Sequence, residues 1–292
     1  MGSALAKRSG RDGSMSHGMR NVIAVFSLVF YGAMGPLGYL AFTTLALLPT
    51  RDEQARAYRL QGIMRRAFAL LHHWMRWCDL LDYDPRSLRG KVPEGTCVVI
   101  SNHPALDDVT TIMSAVPRLC TAVNRITFNR WWLRPLLEQA GQFCGAASNP
   151  LGTATVLDTA VLRLRQGFRV LVFPEGHRSH RGQLRPFARG AFEIACREDV
   201  PIVPILIRAD PLWLGPGDHL VPVSVEVAAK RLEVLEPLHP RDFGGDSRAM
   251  RDFAEAMYSR LLDAPVARRS LALAAHRPPT EAIETQPGGL IK

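Results

Sequence analysis

Two short polar clusters, each placed directly after an apolar run, hold residue types that chemistry needs. The first is Ser101-Asn102-His103-Pro104-Ala105-Leu106-Asp107-Asp108, which follows the run TCVVIS over 96–101. A carboxylate beside an imidazole fixes the ring's tautomer at one nitrogen and leaves the other free to take a proton, the base half of a proton-transfer pair. Four residues lie between His103 and Asp108, so the carboxylate reaches back to the ring if the turn opens into a helix. No serine nucleophile is needed when the substrate brings its own hydroxyl. The competing use of these residues is a helix cap by Asp107 or Asp108.

The second cluster, LVFPEGHRS over 171–179, is again a strand-like run that breaks into a loop. Phe-Pro-Glu-Gly cannot continue a strand ladder, so Glu175 and Arg178 stand on an irregular turn. The arginine offers a planar fork of donors suited to phosphate or carboxylate. Glu175 either pairs with an arginine or accepts from a polar headgroup, and the plainer reading is a surface salt bridge of little energetic weight. The stretch 178–189 adds Arg181, Arg185 and Arg189 with no acidic residue; it is either an anion receptor or a solvated loop. Finally, VPIVPI over 200–205 puts two prolines in an apolar run. That predicts an edge strand or a bulge.

The elements that must carry these clusters read as alternating strands and helices. Strands are predicted at 96–101, 119–123, 142–146, 169–173, 201–208, 223–229 and 231–236, and helices at 108–116, 131–141, 154–167, 190–198 and 247–263. Continuous apolar strands alternating with helices argue an α/β fold with a mixed, largely parallel sheet flanked by helices. Reactive groups then belong at the C-terminal ends of strands, where both clusters sit.

The chain has 292 residues with 47% hydrophobic composition, enough for a sizeable core and too apolar for a disordered chain. Its five cysteines are scattered, which excludes a CxxC redox pair or zinc ribbon and suggests reduced core thiols. The net charge is +9, and residues 1–91 carry 13 basic and 6 acidic side chains. That charge flanks an apolar stretch instead of forming the basic helix or aromatic-interleaved sheet of a nucleic-acid binder. Residues 21–50 are thirty uncharged positions, longer than the roughly 20 apolar residues that span a bilayer. Basic residues on both sides, and Gly32, Gly35, Pro36 and Gly38 in the middle, favour a membrane hairpin with both ends cytoplasmic over one tilted span. Residues 53–82 read as a helix with arginines and with Trp74 and Trp77, either interfacial or packed on the domain; the adjacent His72 and His73 point apart and make poor metal ligands. The organisation expected is a basic tail (1–20), a membrane segment (21–50), an amphipathic helix and linker (51–91), a catalytic domain (92–263) and an unpacked tail (264–292).

Together the clusters resemble the glycerolipid acyltransferase superfamily, over roughly residues 92–240. The matching blocks are Asn102-His103 through Asp108, Phe173 to Ser179, Phe187 to Ala191 and Val200 to Pro204. The resemblance implies a membrane-associated O-acyltransferase in which His103 is the general base and Asp108 orients it. It implies substrate binding for Asn102, Glu175, Gly176, Arg178, Ser179 and Arg189, with Arg178 on a phosphate. The acyl donor would be a thioester of acyl carrier protein or coenzyme A, with no metal, no other cofactor and no nucleic acid. Membrane lipids would be its partners, at the cytoplasmic face of a bacterial inner membrane. Two departures bear on the acceptor. The stretch GQFCGAASNP over 141–150 has no arginine where the family often has one, and His177 replaces the usual threonine. They raise the alternative of a non-glycerophosphate acceptor, as in acyltransferases of aryl-polyene or polyketide-like lipid pathways; a thioester or lipid hydrolase is a further reading.

Overall fold

Strand β2 (Val98–Ser101) is completely buried, and the rest of the domain is arranged around it. The computed structural model describes residues 52–84, 87–145, 150–179, 183–215 and 227–263, together with 18–27 and positions 16, 29, 40 and 44. The seven-stranded sheet runs β1-β7-β6-β2-β5-β3-β4. Here β1 is Leu81–Tyr83, β3 Leu119–Val123, β4 Phe143–Cys144, β5 Arg169–Val172, β6 Ile202–Ala209 and β7 Ala228–Val234. All neighbouring pairs are parallel except β6 and β7. The expected mixed, largely parallel sheet is therefore present.

Alternation along the central strands sorts their side chains between two helical layers. Val99, Leu171 and Val203 pack with α2 (Glu53–Trp77) and α3 (Asp108–Ala115). Val98, Ile100 and Val170 pack with α6 (Pro150–Arg165), α7 (Gly190–Glu198) and α8 (Ser247–Asp263). Each fully buried valine or isoleucine contributes about 1.5–3 kcal/mol, so the strand ends that carry the polar clusters are firmly anchored. Tyr258 of α8 ties the layers further, its hydroxyl lying 3.2 Å from Ile100 O and 3.0 Å from Ile205 O.

Several boundaries differ from the sequence reading. The helix expected over 53–82 ends at Trp77, because Asp79 turns at φ 53° and Leu81–Tyr83 joins the sheet as β1. The helix expected at 131–141 is shortened to α5 (Arg134–Gln139) and preceded by α4 (Arg125–Phe128), capped by the Asn124 side chain. The two strands expected at 223–229 and 231–236 are one strand, β7, with 223–226 outside the described residues. Strand β6 is not an edge: it lies between β2 and β7. The Pro204 carbonyl accepts from Leu235 N–H, so the missing proline donor faces the same side. There the partner slips by one residue, with Ile205 opposite Val234 but Ile202 opposite Leu238. A bulge in the partner accommodates the proline.

Helix α2 settles onto the domain through Leu60, Gln61, Met64, His72 and Met75, while Leu70 and Trp77 remain exposed. Residues 18–27 are helical, and Trp74 donates to Ser27 Oγ at 2.9 Å. The expected membrane hairpin or span lies mostly outside the described residues, and no described helix is long and apolar enough to cross a membrane. The tail expected at 264–292 also lies outside them. The cysteines are free, with Cys78, Cys97 and Cys120 buried.

Gly167 closes α6 at φ +77°, and a Cβ there would sit 2.5 Å from the Tyr58 hydroxyl of α2. That hydroxyl donates to Gln166 O. Gly167→Ala is therefore expected to cost about 1–2 kcal/mol from the left-handed backbone alone, with the clash added. A urea melt checks this; an unchanged midpoint would contradict it.

Candidate active site

The first polar cluster leaves the sheet where β2 ends, and its geometry follows from one side chain that imitates a strand. Asn102 Nδ2 donates to Ile207 O and Asn102 Oδ1 accepts from Ile207 N–H, both at 2.8 Å. The pairing of β2 with β6 stops at Ser101 and Ile205, so the buried amide extends it by one step and fixes the start of the turn. The backbone then rises into α3. Asp107 stands at the N-cap position without a capping side-chain bond, and Asp108 is the first helical residue, where a negative charge meets the positive end of the helix dipole.

This turn brings His103 and Asp108 together. Nδ1 of His103 lies 2.9 Å from Oδ2 of Asp108, which also accepts from Ala105 N–H at 2.7 Å. The carboxylate is fully buried, whereas the imidazole side chain keeps 16% of its exposure. Phe173 stacks on the ring with centroids 4.1 Å apart and planes 24° apart. Packing and the carboxylate thus orient the imidazole, and Nε2 on the opposite edge is the nitrogen left for proton exchange.

Lys230 on β7 completes the charge pattern and was not singled out in the sequence. Its ammonium lies 2.8 Å from Asp108 Oδ1 and 2.6 Å from Asp107 Oδ1. Burial opposes the charged form of Asp108, but Lys230 and the His103 hydrogen bond outweigh it and hold the carboxyl below the ordinary range. Burial likewise opposes charge on Lys230, and the two carboxylates outweigh it and raise its pKa. The depressed carboxyl stabilises the fold above its unfolded pKa and loses that contribution as pH falls through the folded value. The raised lysine stabilises below its unfolded pKa and loses it as pH rises through the folded one. The cluster therefore supports the fold most strongly around neutral pH. One signal for Lys230 existed: it shares the inward phase of Ala228 and Leu232 along β7, and a lysine at a core position needs partners.

The second cluster leaves β5, the strand next to β2, so the two turns touch. Glu175 is buried and accepts from three donors: His103 N–H at 2.9 Å, the Ser179 hydroxyl, shared between the two oxygens at 2.8 and 2.7 Å, and Arg185 N–H at 2.9 Å. Ser179 N–H in turn donates to His103 O at 2.8 Å. Glu175 and Ser179 thereby lock the His103 turn to the second cluster. Gly176 adopts φ +71° in this turn and is exposed. Arg178 Nη1 donates to Leu214 O at 3.0 Å and Gly215 O at 3.2 Å, tying it to the segment after β6. Leu214 O also accepts from Leu106 N–H at 2.9 Å. Arg189 is exposed at the start of α7, 3.5 Å from Glu193. His103, Asp108, Glu175 and Ser179 are thus brought into one hydrogen-bonded unit, whose turn Asn102 anchors to Ile207; Arg178 borders it and Arg189 stands apart.

His72 is buried with Nε2 3.2 Å from Thr110 Oγ1, and burial pulls its pKa down to about 4. Among the described residues no group of three or more His, Cys, Asp or Glu side chains could hold a metal ion. An apolar cavity of about 140 Å³, lined by Thr121, Phe143, Leu157, Val172 and Ala191 among others, lies under α6 and α7 and does not reach His103.

The chain is similar to known acyltransferases in sequence and in fold. The family model described as Acyltransferase matches residues 86–208, which contain both clusters. The chain is 30% identical over 194 residues to 1-acyl-sn-glycerol-3-phosphate acyltransferase alpha of Homo sapiens, covering 63% of this chain. It is 26% identical over 224 residues to the 1-acyl-sn-glycerol-3-phosphate acyltransferase of Pseudomonas aeruginosa, covering 72% of this chain and 80% of the relative. The match spans 62% of the human relative's length. The crystal structure of the 1-acyl-sn-glycerophosphate acyltransferase PlsC of Thermotoga maritima shares the fold, with TM-score 0.66 and 18% identity over 85% of this chain and 97% of that one. With both sequence blocks in order on this sheet, these similarities support a place for the chain in the glycerolipid acyltransferase superfamily.

Proposed function

We propose that this protein moves an acyl group from an acyl thioester of coenzyme A or acyl carrier protein to a hydroxyl of a lysophospholipid-like acceptor. The observation that carries the reading is the His103–Asp108 pair: a buried carboxylate held ionised, 2.9 Å from Nδ1 of an oriented, partly exposed imidazole. In this mechanism Nε2 removes the proton of the acceptor hydroxyl as its oxygen attacks the thioester carbonyl. The tetrahedral intermediate then collapses, the C–S bond breaks, and the proton on Nε2 passes to the departing thiolate. A thioester is already activated, so positioning and one base suffice. The relatives named as 1-acyl-sn-glycerol-3-phosphate acyltransferases support the acceptor class.

The uncharged stretch 21–50 between basic flanks supports a site at the cytoplasmic face of a bacterial inner membrane. Exposed Leu70 and Trp77 on α2 are consistent with that interface.

A second acceptor reading has its own support. Arg178 Nη1 is spent on two backbone carbonyls, so phosphate capture by this residue would compete with an existing tie. A non-glycerophosphate hydroxyl avoids that competition. Purified enzyme in detergent, given acyl-coenzyme A or acyl-acyl carrier protein with lysophosphatidic acid and with neutral lysolipids, separates these outcomes when products are read by mass. A preference for lysophosphatidic acid supports the phosphate acceptor. Equal or better use of neutral acceptors supports the second reading, and release of free fatty acid alone would indicate hydrolysis and refute transfer.

A further inference from the structure

We propose that Lys230 is a positioning residue of this site: from β7 it holds Asp107 and Asp108 together, so that the buried cluster behind His103 carries one net negative charge. This rests on the proton-transfer reading of His103. The pairing is two-sided, with Nζ 2.6 Å from Asp107 Oδ1 and 2.8 Å from Asp108 Oδ1. Lys230 is 2% exposed and Asp108 0%, so the charges meet away from solvent, where unpaired ions are costly.

The groups around the cluster fix its charge. From α2 comes His72, kept neutral by burial. From β1 comes Tyr83, whose hydroxyl burial also keeps neutral. From α3 come Asp107 and Asp108, and from the turn after β5 comes Glu175, whose carboxylate is taken by His103 N–H, Ser179 and Arg185 N–H. Asp107, Asp108 and Lys230 leave a charge of minus one facing Nδ1, while the Glu175 carboxylate is a separate charge on the backbone side of His103 that the variants leave unchanged. When Nε2 takes the acceptor's proton, the imidazolium brings the cluster to zero. Removing Lys230 would leave minus two behind the imidazole and favour its protonated form; removing Asp107 would leave zero there and disfavour it. Asp107 also explains its own geometry: its side chain caps nothing and is committed to Lys230 and Thr111.

Lys230 lies beyond the residues matched by the family model, in one of the two strands that run against the rest of the sheet. Its register opposite Tyr83 of β1 and Ala209 of β6 places it under α3. The outer strands β1 and β7 therefore do more than cover an edge; they deliver a counter-ion to the site.

The test is a charge series on the full chain with labelled histidine, following the His103 ring by NMR titration: Lys230→Met, Asp107→Asn and the double variant. The net charge behind the ring is minus two, zero and minus one respectively. Lys230→Met is expected to move the titration up by about one pH unit or more and Asp107→Asn down by a similar amount. The double variant is expected to return close to the wild type. In acyl transfer, a one-unit upward shift leaves about a tenth of the free base on the acid limb. Lys230→Met should therefore lose about tenfold in kcat there, with KM little changed, and Asp107→Asn in the same chain should restore most of it. If Lys230→Met does not fold, Asp107→Asn against the double variant still isolates the lysine's charge. A His103 titration that stays fixed across the folded variants would overturn the inference. A titration that moves as expected in a protein that transfers no acyl group would leave Lys230's role standing and refute the transferase reading.

Discussion

Asp108→Asn is expected to lower acyl transfer by about 10²–10⁴-fold, the range that loss of general-base function produces. The amide cannot carry the charge that stabilises an imidazolium. Its NH₂ group, turned toward Nδ1, would also favour the tautomer with the proton on Nε2, the nitrogen that must accept one. The damage extends beyond the ring, because Lys230 would keep only Asp107 as an ionised partner. Leaving one member of a buried ion cluster poorly compensated costs about 3–5 kcal/mol when the loss is complete, and less here because Asp107 remains. Steady-state rates together with a thermal melt separate the two effects. A rate within threefold of the wild type would mean that Asp108 neither orients nor supports the base.

Glu175→Ala should show a different signature, with stability and activity falling together. Three donors converge on this buried carboxylate, two of them the backbone N–H groups of His103 and Arg185. Each buried donor left without an acceptor costs about 1–3 kcal/mol, so the two amides alone imply a loss of about 2–6 kcal/mol. The resemblance of the second cluster to its family assigns Glu175 to the acceptor. If acceptor contact were its only role, the variant would keep its urea midpoint and raise KM. The lattice of bonds around Glu175 instead predicts a lowered midpoint, with Glu175→Gln intermediate because one oxygen survives. An unshifted midpoint in Glu175→Ala would refute the structural role.

The parts of the site legible in the sequence were those encoded locally. His103 and Asp108 sit five positions apart across a strand-to-helix turn, and that spacing allows their contact once the turn opens into a helix, although it fits a helix cap as well. The strands carrying both clusters were continuous apolar runs, and a buried parallel strand has little other way to read. The remaining parts of the site depend on contacts between residues far apart in the chain. Lys230 meets Asp108 from 122 positions away, and Glu175 reaches His103 N–H across 72. Spacing cannot show either pairing, although the inward phase of Lys230 in β7 could have flagged a buried charge. Strand β1 has no local signature, because Leu81–Tyr83 is only three residues long and follows a helix with no proline or glycine between them. The two prolines near β6 pointed to an edge because a missing donor usually ends a ladder. In the structure the loss falls where the β7 partner bulges, a tertiary accommodation with no local signature.

The central claim is that the His103 imidazole takes the proton of an incoming alcohol. The most direct measurement incubates wild type and His103→Ala, each confirmed folded by its melting transition, with an acyl thioester and a hydroxyl-bearing lysolipid, and follows the acylated lipid by mass. Abundant acylated lipid from the wild type, and a rate lower by about 10²-fold or more from the variant, is the predicted result. A His103→Ala protein that makes acylated lipid at the wild-type rate would contradict it.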